Sequence, residues 1–273
     1  METKLRLGVI QGLANVDEEL RKVREMGMPT CQVGCWDPNL YTEENVTLIM
    51  AASRKYDVEV TTIWAGYSGP DVWDFLKGPI TIGLVPPEYR KQRIEDLKKG
   101  ADFAAKAKVP SITTHAGFIP EDLNNPLYQA TITALREVAK HCKSLGLYFC
   151  LETGQETPIT LLRAIKDIGT DNMGVNFDPA NLLMYGKANP VDALDILGPY
   201  VKGVHAKDGE YPTDPLQLGV EKPLGEGRVN FPAFIPKLKS FGYTGALTIE
   251  REISGPRQIE DIKRAIEMLK ELL

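Results

Sequence analysis

The sequence predicts one (β/α)8 barrel over residues 1–273, and three observations carry that reading. Eight short apolar or β-branched runs alternate with helical runs along the whole chain, a pattern that implies parallel strands joined by right-handed crossovers. No change of composition divides the chain, and its 273 residues match the roughly 250 that such a barrel needs. Four successive strand-like runs end in Glu152, Asp178, His205 and Glu250, so each delivers a metal-ligand side chain at its carboxyl end. An open doubly wound sheet is the rival architecture. No GxGxxG turn follows the first strand, which weakens it.

The elements follow in order. Lys4 to Gln11 is the first strand, and Asp17 to Met26 a short amphipathic helix stopped by Gly27. Thr30 to Trp36 is the second strand. Thr42 caps a helix that runs to about Tyr56. Val58 to Ala65 is the third strand, rich in β-branched residues. Gly66 to Pro87 is long and irregular, yet carries Trp73 and Phe75, so it reads as the wall or lid of a site. Glu88 to Ala107 is a helix and Pro110 to His115 the fourth strand. Leu127 to Leu145 is a helix ended by Gly146. Leu147 to Leu151 is the fifth strand, with Glu152 at its end and a helix from Pro158 to Ile168 behind it. Met173 to Phe177 is the sixth strand, Pro190 to Leu197 a helix, and Val201 to His205 the seventh strand. Asp208 to Gly227 is a second long loop. Phe231 to Phe241 is a helix with Asn230 as its cap and Pro236 as a kink. Gly245 to Glu250 is the eighth strand and Gln258 to Leu272 the last helix.

Composition is that of an ordinary soluble protein, with 43% hydrophobic and 25% charged residues. The net charge of −5 and the lack of a basic block argue against nucleic acid as a partner. Met1 to Ile10 holds no apolar core of signal-peptide length, and no run approaches the ~20 residues of a membrane span. The expected location is the cytoplasm, with no membrane partner. Cys31, Cys35, Cys142 and Cys150 read as buried free thiols, because a lone Cys-x3-Cys pair makes no structural zinc site.

In a barrel the carboxyl ends of the strands meet at one mouth. Side-chain alternation places Glu152, Asp178, His205 and Glu250 on the inward face with Cys150, Asn176, Gly203 and Thr248. Three carboxylates and an imidazole suit one divalent ion: Mn²⁺ first, with Mg²⁺, Co²⁺ or Zn²⁺ as alternatives. The bland alternative is a set of buried acids paired with Lys207 and Arg251.

These residues sit in LETGQE (151–156), NFDPANLL (176–183), GVHAKDG (203–209), PLGEGRVNF (223–231) and GYTGALTIERE (242–252). In that order the motifs resemble the xylose isomerase-like TIM-barrel superfamily, and within it the sugar phosphate isomerase/epimerase group that includes ketose 3-epimerases. The resemblance covers nearly the whole chain. It implies a single divalent metal held by Glu152, Asp178, His205 and Glu250, with Glu152 and Glu250 also acting as acid and base beside the substrate carbonyl, through a metal-stabilised cis-enediolate. The sugar-contacting set departs from the epimerase pattern. Glu156 lies four residues after Glu152 where the epimerases place a glutamate six after, and Asn181 stands where they place a histidine.

Five further residues are substrate-contact candidates: His115, Glu156, Lys207, Arg228 and Trp64. Each has a plainer reading. His115 could bond backbone, Glu156 could favour a helix start, Lys207 could pair with Asp208, Arg228 could be solvated, and Trp36, Trp64 and Phe118 could be packing. Glu252 shares the parity of Glu250, and the family pattern chooses between them. The expected activity is a metal-dependent sugar or sugar phosphate isomerase or epimerase acting on a small-molecule sugar. The alternatives are a lyase or dehydratase on a keto-sugar or inosose, then a non-catalytic sugar-binding module or an apurinic-site endonuclease. The three histidines of the chain are few for a multi-zinc endonuclease. A homo-oligomer is left open.

Overall fold

Eight strands pair in parallel and close on themselves in a computed structural model that describes residues 5–273. Lys4, expected in the first strand, lies outside the described residues, as do residues 1–3. The strands are β1 (Arg6–Gly12), β2 (Thr30–Cys35), β3 (Glu59–Ala65), β4 (Ser111–Thr114), β5 (Tyr148–Glu152), β6 (Met173–Phe177), β7 (Val201–Ala206) and, after a two-strand ribbon of β8 (Asp208–Gly209) and β9 (Glu221–Lys222), β10 (Ala246–Ile249). Around the barrel they run β1-β2-β3-β4-β5-β6-β7-β10, and β10 returns to β1 with Arg6 opposite Ala246 and Val9 opposite Ile249.

The helices are α1 (Val16–Glu25), α2 (Glu43–Tyr56), α3 (Gly78–Thr81), α4 (Pro87–Lys106), α5 (Pro126–Ser144), α6 (Pro158–Ile168), α7 (Pro179–Met184), α8 (Pro190–Leu197), α9 (Phe231–Ser240) and α10 (Pro256–Leu272). Thr42 caps α2 by accepting from Asn45 N at 3.2 Å. Several helices start one or two residues earlier than the sequence pattern suggests, because a proline occupies their first position. There its missing N–H costs nothing and its fixed φ suits the helix. Asn230 does not cap α9 with its side chain. It sits in the left-handed region at φ 58°, and its amide makes no capping bond. Pro236 lies inside α9, and the helix continues past it to Ser240.

Two short helices and the ribbon were not legible as elements. α3 interrupts the long segment 66–87, α7 follows Asp178 directly, and β8 and β9 pair antiparallel inside the second long loop. Phe149 and Leu151 bury in the apolar layer between strands and helices. Inside the barrel the packing is polar. Gln32 and Asn176 are buried there, and a Cβ at Gly203 would lie 2.3 Å from Asn176 Oδ1, so that glycine makes room for the amide. All four cysteines are free and buried. Among the described residues no helix is long and apolar enough to cross a membrane.

Candidate metal centre and cavity

Glu152 ends β5, Asp178 follows β6, His205 lies near the end of β7, and Glu250 follows β10. One ligand atom from each lies within 4.8 Å of the others, at the carboxyl ends of the strands. His205 Nδ1 is 3.2 Å from Glu152 Oε1, 3.1 Å from Glu250 Oε2 and 3.8 Å from Asp178 Oδ2. Asp178 Oδ2, His205 Nδ1 and Glu250 Oε2 are buried, and none has a hydrogen-bond partner by geometry. Orphaned polar atoms are costly in an interior. Three that converge on one point, two of them anionic, fit a divalent cation.

Three of the four candidate ligands are held by further hydrogen bonds. Asp178 caps α7 with its other oxygen, Oδ1, which accepts from Asn181 N at 2.9 Å. Thr153 clamps the same turn: its hydroxyl donates to Asp178 O and accepts from Asp178 N, both at 2.8 Å. Glu152 Oε2 accepts from Trp64 Nε1 and from Asn176 Nδ2 at 3.2 Å, and Oε1 accepts from Asn181 Nδ2 at 3.2 Å. His205 Nε2 faces Gln32 Oε1 at 2.8 Å, and Gln32 Nε2 donates to Asn176 Oδ1 at 3.0 Å. The carbonyl oxygen of Gln32 can only accept, so a neutral His205 keeps its proton on Nε2, and once the imidazolium gives up its other proton the Nδ1 lone pair is free for a metal.

Charge is concentrated at this point. Burial opposes ionisation of Glu250, but His205 and Lys207 outweigh it and hold its carboxyl well below the usual range. Glu152 is also lowered, burial being overcome by His205 and His115. Burial pushes Asp178 up to about 6, with Lys207 and His205 pulling the other way. Burial disfavours the imidazolium of His205, yet Glu152 and Glu250 raise it far above its ordinary value.

Lys207 turns into the site despite its outward parity. It is buried, with Nζ 3.2 Å from Asn181 Oδ1, 3.2 Å from Glu250 Oε2 and 3.0 Å from Glu252 Oε1. The pairing with Asp208 does not form. Asp208 instead accepts the backbone N–H groups of Gly209, Gly225, Gly227 and Val229 at 2.9–3.1 Å and clasps the second long loop. Arg251 does not pair with the ligand acids either; it binds Glu221 and Asp261, each at 2.9 Å.

A cavity of about 520 Å³ opens over the cluster. Glu152, Glu250, Trp64 and His115 line it, as do Trp73 from the first long segment and Leu218 from the second, so both segments flank one mouth. His115 Nε2 lies 3.6 Å from Glu152 Oε1, and its Nδ1 has no partner. Glu156 is 3% exposed and is not among the lining residues; neither of its oxygens has a hydrogen-bond partner, and burial pushes its carboxyl up to about 8. Arg228 is exposed and is not among the lining residues. Phe118 packs against Tyr185 with ring centroids 5.8 Å apart and is likewise not among them.

The sequence reading did not single out Gln32, Gln155 or Tyr185. Gln155 and Tyr185 line the cavity with buried polar atoms that have no partner. Gln155 could have been found, because it lies inside the LETGQE stretch. Gln32 and Tyr185 carry no such mark, because only closure of the barrel brings them to the site.

The xylose isomerase-like TIM barrel family model matches residues 20–272. A crystal structure of a xylose isomerase domain protein from Planctomyces limnophilus superposes with TM-score 0.92 at 33% identity, covering 98% of this chain and 97% of that one. A D-tagatose 3-epimerase-like protein superposes with TM-score 0.78 at 23% identity, covering 98% and 97%. An uncharacterised protein of Methanocaldococcus jannaschii is 25% identical over 271 residues, 95% of this chain and 85% of that protein.

Proposed function

Because the chain belongs to the xylose isomerase-like TIM-barrel family, we propose that it is a divalent-metal-dependent sugar isomerase or epimerase that moves a proton at the carbon beside a carbonyl. The observation that carries this reading is the convergence of Glu152, Asp178, His205 and Glu250 beneath the cavity, with Asp178 Oδ2 and His205 Nδ1 buried and without a hydrogen bond. The donor set of three carboxylates and one imidazole suits Mn²⁺ or Mg²⁺. A bound cation would supply Lewis-acid stabilisation of the charge that develops on the carbonyl oxygen. The remaining chemistry belongs to the chain. Glu152 and Glu250 both line the cavity, and their neighbours favour the carboxylate form of each, so either can accept a proton from carbon. In an epimerisation one carboxylate takes the proton, and the other, which must first have taken up a proton from solvent, returns it to the opposite face. Lys207 is not among the lining residues; its ammonium is spent on Asn181, Glu250 and Glu252, so it orients those side chains. Trp64 fixes Glu152 with its indole N–H and offers its ring to the apolar face of a sugar. His115, Gln155 and Tyr185 present polar atoms to its hydroxyls.

The test is solvent deuterium exchange with a panel of keto sugars. The wild-type protein incorporates deuterium next to the carbonyl of its substrate. Glu152→Gln and Glu250→Gln keep an oxygen ligand and retain metal, but lose exchange by roughly a hundredfold or more. Exchange at the normal rate in a metal-retaining Gln variant would leave these residues as ligands only. An enone absorbance appearing in place of exchange would assign the site to a lyase.

A further inference from the structure

We propose that the cavity takes an uncharged keto sugar bearing a second ring, and discriminates against sugar phosphates. The proposal rests on the keto-sugar reading of the site above and names its substrate class. Charge argues the first half. Glu152, Glu250 and Glu252 line the cavity and Asp178 lies beneath them. Against these four carboxylates stands Lys207, already in contact with Glu250 and Glu252. Arg251 also lines the cavity, but Glu221 and Asp261 occupy its guanidinium. A bound divalent ion and Lys207 together still leave the four carboxylates one charge in excess. A phosphate group would bring roughly −2 more with no free cation on the wall to receive it.

Size and shape argue the second half. At the roughly 30 Å³ that each water takes in the liquid, the about twelve heavy atoms of a hexose fill at most about 360 Å³. The cavity measures about 520 Å³. One wall of the cavity is aromatic. Trp64, which bonds Glu152, lies tilted by 40° against Trp36 with ring centroids 4.4 Å apart, and Trp36 meets Trp73 edge-on at 6.0 Å. Trp64 is buried, whereas Trp36 is 51% exposed and Trp73, which also lies 5.0 Å from the His115 ring, is 36% exposed. A sugar whose carbonyl sits at the metal cluster would place a glycosidic substituent against these outer rings. A second sugar residue or an aryl aglycone offers the same flat or apolar face to them.

Trp36, Trp64 and Trp73 are the only three tryptophans of the chain, and all three line the cavity, so fluorescence excited selectively at tryptophan reports on it. The experiment titrates Mg²⁺-loaded protein with D-fructose, D-fructose 6-phosphate, and the methyl, phenyl and glucosyl glycosides of a 3-keto glucose. The phenyl or the glucosyl glycoside is expected to bind roughly tenfold tighter than the methyl one, and which of them does so identifies the second ring. Trp36→Ala and Trp73→Ala, each alone, should bring those affinities together. The phosphate is expected to bind more weakly than the free ketose. Equal affinity of methyl, phenyl and glucosyl glycosides overturns the second ring, and a phosphate that binds as well as the free sugar overturns the charge argument. Both results leave the keto-sugar reading standing. A cavity that binds none of the five overturns that reading and this proposal together.

Discussion

Gln32 shows how a single residue fixes the chemistry of another. Its carbonyl faces His205 Nε2 at 2.8 Å while its amide reaches Asn176, which in turn holds Glu152. One side chain therefore sets the tautomer of one ligand and, through an amide, the position of a second. Gln32→Leu fills similar space but leaves His205 Nε2 and Asn176 Oδ1 without those partners in the barrel interior. Metal affinity should fall roughly 10- to 100-fold, as for other outer partners of metal ligands. Calorimetric titration with Mn²⁺ measures this directly, and an unchanged affinity in a folded variant would remove Gln32 from the site. Lys207 teaches the complementary lesson. Alternation along β7 points it outward, but the strand ends at Ala206, and the free backbone turns its ammonium inward to Glu250 and Glu252.

At the scale of elements, the barrel was legible and its loops were not. Strand ends carrying Glu152, Asp178, His205 and Glu250 announce themselves, because a fixed period of two sets which face each side chain takes. The loops answer to contacts made far away in sequence. Arg93 is the clearest case, since in the sequence it is one charge among many on α4. In the fold it is fully buried and donates to the carbonyls of Ser68, Pro70, Thr81 and Gly83 at 2.6–3.0 Å, while its guanidinium lies 4.2 Å from the Tyr67 ring centre. It gathers the segment 66–86 into the wall that carries Trp73, in a stretch where periodicity offers no guide. The clasp at Asp208 was hidden likewise: PLGEGRVNF was visible as a motif, but its reason was not. A Cβ at Gly227 would lie 2.2 Å from Asp208 Oδ1, so the glycine lets the chain close on that carboxylate. Arg93→Lys keeps the charge but cannot fork to four carbonyls. It should cost roughly 2–4 kcal/mol in urea unfolding, given about 1.5–3 for a charged hydrogen bond lost in the interior. With the wall loosened, KM should rise more than kcat falls. A variant with wild-type stability would show that the wall holds itself.

For the whole molecule, closure of the barrel brings three acids and a histidine from four strands together, and the resulting electrostatics couple metal, protons and stability. In the metal-free protein Asp178 titrates at about 6, raised by burial, and His205 is held protonated by Glu152 and Glu250. A metal needs both deprotonated, so binding releases protons. The signs follow for each group. A raised Asp178 means that ionisation opposes folding as pH climbs from 3.8 through about 6. A raised His205 contributes stability below its ordinary value of 6.5, and this is lost as pH rises through its higher folded value. Both terms therefore weaken the metal-free protein as pH increases, whereas the same deprotonations prepare the site for a cation. The stabilisation from metal should grow between pH 5 and pH 8, reaching about 4 kcal/mol where the free ion stands at about a thousand times its Kd. Thermal unfolding with and without Mn²⁺ at each pH reads the increment. Titration in two buffers of different ionisation enthalpy counts the released protons. An increment that stays flat across that range, with no protons released, would mean that the four side chains do not bind the ion as ligands, and the metal centre assigned to them would have to be given up.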